Sequence, residues 1–146
     1  MKRKAAKKLL AELSDTFGDL QAGKVETAKF EEKELYLFDE SIEFVKDENG
    51  FYPFLGGSYL DNLPKVVVDM GAIRFVCNGA DVMAPGITDM GAFGVGDIVV
   101  IRDVTHGKAL AIGVAKKSSV DIEMSKKGKV IKNLHYVGDK LWGAVT

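Results

Sequence analysis

Apolar residues return every three or four places near the start of the chain, at Leu9, Leu10, Leu13 and Phe17. That spacing predicts an amphipathic helix over residues 2–17, with Asp15 near its end and Gly18 as the glycine that closes it. Past Gly23 the period changes. Val25, Ala28 and Phe30 lead into a charged cluster. Leu35–Phe38 and Ile42–Val45 then predict two short strands around a turn at Asp39-Glu40-Ser41. Asp47-Glu48-Asn49-Gly50 predicts another turn, because Asn-Gly accepts positive φ at little cost. Phe51-Tyr52-Pro53-Phe54-Leu55 runs on through Gly56-Gly57 to a short turn or helix ending at Pro64.

Beyond Pro64, Val66-Val67-Val68 predicts a β-branched strand, and Asp69 is placed to cap a short helix over Gly71–Cys77, closed by Asn78-Gly79. A loop with Pro85-Gly86 and a glycine-rich stretch follow. Ile98–Arg102 and Ala109–Ala115 predict two firm strands. Ser118 and Asp121 form a capping box for a helix through about Lys126, with Gly128 stopping it. Val130–Leu134 and Leu141–Val145 predict two final strands. The expected class is α+β: a small α+β domain over residues 1–63, then a small, partly closed mixed β-barrel with two short helices over residues 64–146.

At 146 residues the chain is long enough for a real core without covalent staples. Its one cysteine, Cys77, excludes an intramolecular disulfide and makes a cytoplasmic setting the default. Apolar runs such as Ile98–Ile101 fall far short of the roughly 20 residues that span a bilayer. Leu9-Leu10-Ala11 is too brief for a signal peptide's apolar region. No membrane partner is expected. Net charge is −1, but its distribution is uneven. Residues 1–63 carry 9 Lys/Arg against 13 Asp/Glu, and residues 64–146 carry 11 against 8. Five cations fall in the first eight residues, and six lysines lie between Lys116 and Lys132. Two basic patches flanking an acidic middle are compatible with an anionic partner.

Groups that converge for catalysis are hard to find. His106 and His135 lack second ligands at metal spacing, and no Gly-x-Ser-x-Gly occurs, so neither a metal nor an enzyme is expected. Gly91–Gly96 has the spacing of neither a dinucleotide fingerprint nor a phosphate loop, and no cofactor is expected. Ala92-Phe93, between two of those glycines, is an apolar pair without the basic context of a KH clamp. The acid pairs Asp39-Glu40 and Asp47-Glu48 fall in turns. His135-Tyr136 near a strand end can stack on a splayed base or pack a barrel edge, and Met70 and Met83 can serve as adaptable contacts or as filling.

The run Val68–Ile87, with Gly79, Ala80, Met83, Pro85 and Gly86 as Gly-Ala-x-x-Met-x-Pro-Gly after a short helix, resembles the signature of PUA domains. Asp97–Val100, Ala111–Ala115, Asn133–Tyr136 and Leu141-Trp142 agree with it, so the resemblance covers about residues 64–146. Together with Phe51-Tyr52-Pro53, these segments resemble more narrowly the family of the malignant T-cell amplified sequence protein and its archaeal relatives. There a small N-terminal domain precedes a PUA domain and no enzyme is attached. The N-terminal part here is shorter and differently patterned.

The resemblance implies a cytoplasmic, non-catalytic protein that binds structured RNA, tRNA or rRNA, rather than DNA. It implies action in translation initiation, re-initiation or recycling with the small ribosomal subunit and a translation-factor partner, which in eukaryotic members is the density-regulated protein. The expected RNA-binding residues are Met70, Gly71, Arg74, Asn78, Gly79, Ala80, Met83, Pro85, Gly86, Lys116, Lys117 and His135. Bare glycine backbone lets a sugar–phosphate chain approach, Arg74 can grip a phosphate or stack on a base, and Lys116 and Lys117 add electrostatic reach. The alternatives are a protein-interaction module, for which exposed apolar residues around Phe51–Leu55 would speak, or a separate targeting subunit for an RNA-modifying enzyme.

Overall fold

The structure, a computed structural model, describes residues 1–145, and the chain divides into two compact units, Met1–Asn62 and Leu63–Thr146. The first opens with α1 (Arg3–Phe17), whose Leu9, Leu13 and Phe17 are buried, and which Gly18 ends at φ +90°. Four strands follow as an antiparallel meander: β1 (Val25–Phe30), β2 (Lys33–Phe38), β3 (Ser41–Asp47) and β4 (Gly50–Pro53). β1 was not expected. Its four central residues, Glu26 to Lys29, show no apolar alternation, because β1 is an edge strand specified by its ladder to β2 rather than by a buried face.

Aromatic rings fill this unit's core. Phe44 is fully buried, with the rings of Phe17, Tyr59 and Phe38 centred 5.1, 5.5 and 5.7 Å from its own. Tyr52, Pro53, Phe54 and Leu55 are buried too, and Phe51 is half-buried, so little of this segment is open to a partner protein. Asp47 orders the β3–β4 turn. It accepts from the Asn49 backbone N–H at 2.8 Å, the Lys33 ammonium at 2.8 Å and the Tyr52 hydroxyl at 2.8 Å.

The second unit holds six strands in the order β6-β10-β9-β8-β5-β7: β5 (Lys65–Val68), β6 (Val82–Met83), β7 (Ile87–Met90), β8 (Ile98–Asp103), β9 (Ala109–Ala115) and β10 (Lys129–Tyr136). β5 and β8 run parallel; every other pair is antiparallel. The outermost strands, β6 and β7, are consecutive in the chain, joined only by a 3₁₀ turn over Ala84–Gly86. That connection bends the sheet round and brings its two edge strands within one turn of each other, so the sheet is a nearly closed barrel. Val66, Val68, Val99, Ile101, Ala111, Val130 and Ile131 fill its interior.

Helices α2 (Met70–Val76) and α3 (Ser119–Ser125) carry the expected caps. Asp69 accepts from the Ala72 N–H at 2.9 Å and Ser118 from the Asp121 N–H at 3.1 Å. α3 is closed not by Gly128 but by Lys126, which takes up a left-handed conformation. The last element is a correction: Leu141–Val145, expected as a strand, lies in a third helix, α4 (Lys140–Val145). Asp139 decides it by accepting from the Trp142 N–H at 2.8 Å, which starts a helix that apolar content alone cannot distinguish from a strand. Among the described residues no helix is long and apolar enough to cross a membrane.

Candidate nucleic-acid interface

α2 has two faces. Val76 is buried, and Ala72, Ile73 and Cys77 pack partly against the barrel core. The other face carries Met70, Gly71, Arg74, Phe75 and, just past the helix, Asn78, all exposed. Phe75 was not among the expected contacts, yet its ring is 55% exposed. The Arg74 guanidinium carbon sits 5.0 Å from the ring centroid, within cation–π range. Met83, also exposed, lines the same cleft as Phe75, so the ring belongs to an apolar patch and is not a lone surface residue. Its signal in the sequence was its place: Phe75 is the large apolar residue beside Arg74, one turn on from Ala72, at the flank of the face that packs on the barrel.

A tight turn leads out of α2. The N–H groups of Asn78 and Ala80 both donate to the Phe75 carbonyl, at 3.1 and 2.9 Å, and Gly79 N–H donates to Val76 at 3.1 Å. Gly79 holds φ at +91°, and a Cβ there would stand 3.1 Å from the Tyr136 ring. Asn133 on β10 fastens this turn, its side-chain amide donating to the carbonyls of Val76 and Ala80, both at 3.0 Å. Asp81 accepts from the Asn133 backbone N–H at 2.9 Å. Sequence reading missed Asn133, because its partners lie more than fifty residues away.

Between α2, β6 and the 3₁₀ turn lies a cleft of about 380 Å³, lined by Ala72, Phe75, Val76, Ala80, Asp81, Val82, Met83, Gly86 and Lys129. Its walls are mainly apolar, with one carboxylate and one ammonium. Of the expected residues, Ala80, Met83 and Gly86 line it, while Met70, Gly71, Arg74, Asn78 and Pro85 are on the same helix, turn and loop. Lys116 is exposed at the end of β9, where its N–H bonds to Val130, the neighbour of Lys129; Lys117 is half-buried.

His135 is different. It is fully buried, with Nδ1 2.7 Å from an Asp139 carboxylate oxygen, so it cannot offer its ring to a ligand. Burial alone would raise the Asp139 carboxyl, but His135 and the Trp142 and Tyr136 N–H groups outweigh it and hold the group below its usual range. The α2 N-terminus is also occupied, since the Asp69 carboxylate already takes the amide an anion would need.

Other clusters carry less chemistry. A hollow of about 420 Å³ beside α3 has only Glu123 for a charged group, a poor seat for a polyanion. Burial raises the Cys77 thiol, which lowers its reactivity. Among the described residues no three His, Cys, Asp or Glu side chains gather as a metal-binding group.

A nearly closed barrel whose edge strands are joined by a Pro-Gly turn, with a short capped helix and a glycine turn on its rim, is the architecture of a PUA domain. The PUA domain family model matches residues 64–137, just over half of the chain. The chain belongs to the PUA-domain family and is similar to the malignant T-cell-amplified sequence proteins and to an archaeal protein. It is 41% identical to the uncharacterized protein MJ1432 of Methanocaldococcus jannaschii, over 97% of this chain and 93% of that one. It is 43% identical to malignant T-cell-amplified sequence 1 of rat, over 70% of this chain but only 60% of the rat protein. To translation machinery-associated protein 20 of Saccharomyces cerevisiae it is 36% identical, over 81% of this chain and 71% of the yeast protein.

Among solved structures, the hypothetical protein PH0734.1 of Pyrococcus horikoshii superimposes with a TM-score of 0.87 at 31% identity, covering 100% of this chain and 98% of that one. An H/ACA ribonucleoprotein bound to a substrate RNA matches 64% of this chain and 29% of its own, with a TM-score of 0.52 and 26% identity.

Proposed function

We propose that this protein binds structured RNA, tRNA or rRNA, without catalysing a reaction, and that it serves translation in the cytoplasm beside the small ribosomal subunit. In this reading residues 64–146 are the RNA-binding domain and residues 1–63 a small accessory domain. The observation that carries it is the exposed Phe75, with Arg74 over its ring, at the mouth of an apolar cleft. That combination suits one unpaired base stacked on the ring, its phosphate facing Arg74 and Lys129. Family membership supports it, as do the name of the yeast relative and the RNA bound in the H/ACA particle.

The test is fluorescence anisotropy with labelled tRNA and small-subunit rRNA fragments. Phe75→Ala should weaken binding by about 1–3 kcal/mol, the cost of losing one base-stacking platform. Arg74→Ala should do so by a similar amount. Wild-type affinity in both variants, or no binding by the parent protein, would refute the reading.

A further inference from the structure

α1 sets its charges against its own dipole. Arg3, Lys4, Lys7 and Lys8 occupy its first turn and a half, with Lys2 just before, while Glu12 and Asp15 come later. The first turn holds no acid and the last turn no base. The N-terminal end of a helix carries partial positive charge, so cations there cost stability. All five are exposed, and among the described residues none forms an ion pair. Lys8 and Glu12 are one turn apart and remain unpaired.

The helix also separates its faces. At about 100° per residue, the four helical cations fall within an arc of roughly 140°, centred about 150° from the arc of Leu9, Leu13 and Phe17. Those three are buried, with Phe17 against Phe44. A helix that lies on a membrane needs its apolar face free, and here that face is used by the unit's own core. What remains is a row of cations about 7.5 Å long from Arg3 to Lys8, matched to a phosphate backbone.

We infer that the outer face of α1, Lys2, Arg3, Lys4, Lys7 and Lys8, is a second RNA-binding surface, one that grips backbone phosphates without reading bases. The inference rests on the reading that the ligand is RNA, and it gives the N-terminal unit a binding task of its own. Two weak grips on one chain raise affinity through effective concentration when a single RNA reaches both.

The test is a full-length variant, Arg3→Gln/Lys4→Gln/Lys7→Gln/Lys8→Gln, titrated with labelled tRNA and a longer rRNA fragment across a salt series. Affinity at low salt should fall roughly tenfold or more, and the log–log salt slope should lose about 3–4 units, roughly 0.7–0.9 for each of four contacts removed. Because the cations oppose the dipole, the variant should melt at or above the parent's temperature. An unchanged slope, or a clearly lower melting temperature, would overturn the inference, the latter by making the cations structural. Capture of the parent but not the variant by phosphatidylserine vesicles, with RNA binding equal in both, would overturn it in favour of a membrane. Phe75→Ala separates the two readings. Loss there with no loss in the α1 variant removes only this inference, and the reverse removes only the base-stacking site.

Discussion

Asn133 tests whether the turn beside the cleft is held from the barrel. Asn133→Ala removes two hydrogen bonds of 3.0 Å, to the Val76 and Ala80 carbonyls, and leaves the Asn133 backbone bond to Asp81 intact. At about 0.5–1.5 kcal/mol net per bond, the loss is about 1–3 kcal/mol. Two features pull it toward the lower end. The Val76 carbonyl keeps its bond from the Gly79 N–H, and the Asn133 Oδ1, buried with no hydrogen-bond partner, is removed along with the amide. Asn133→Asp should cost more than alanine at neutral pH, because it turns a carboxylate toward two carbonyl oxygens. Urea unfolding followed by circular dichroism gives the numbers, with an unchanged m-value showing that the native barrel persists. RNA affinity should fall in parallel as the Asn78–Ala80 turn loosens. An aspartate variant as stable as the parent would refute the account.

Gly113→Ala should destabilise more than most single changes. The new Cβ would stand 2.5 Å from Ile131 Cγ2 and 2.9 Å from the Lys132 carbonyl, in the packed centre of β9. An overpacking cost of about 1–3 kcal/mol or more follows, visible as a lower urea midpoint, and a midpoint within error of the parent would contradict the packing. Asp139 makes a pH prediction. Its folded pKa is depressed, so its contribution is fully present above the ordinary carboxylate value of about 4 and is lost as pH falls through the folded one. Asp139→Asn should therefore be less stable than the parent at pH 7, with the gap closing below about pH 4. A gap constant from pH 7 to pH 3 would exclude the mechanism.

The sequence disclosed the elements whose stabilisation is local. Asp69 and Ser118 cap the helices they were expected to cap, and Gly18 ends α1, because those bonds close over three or four residues. β8 and β9, apolar on both faces, were legible for the same reason. Elements fixed by distant partners were not. β1 and β7 are polar edge strands that owe their form to β2 and β5, and α4 turns on one aspartate side chain. The site divides in the same way. The motif located α2 and the glycine turn, but burial alone distinguishes His135, locked to Asp139, from Phe75, open beside Arg74.

That contrast bears on how binding energy is divided. The α2 face offers an aromatic ring, apolar walls and few cations, while the α1 face offers cations and no aromatic ring. Stacking on a ring releases no counterions, whereas each neutralised phosphate does. Changes at Phe75 should then lower affinity at every salt concentration and leave the salt slope nearly constant. Changes on α1 should flatten the slope and matter least at high salt. A chain with net charge of only −1 can still bind a polyanion in this way, because unpaired cations gathered on one helix face act locally and distant acids are screened beyond about 10 Å. If both sets of variants shifted slope and affinity in the same proportion, the division of labour argued from these two faces would fail.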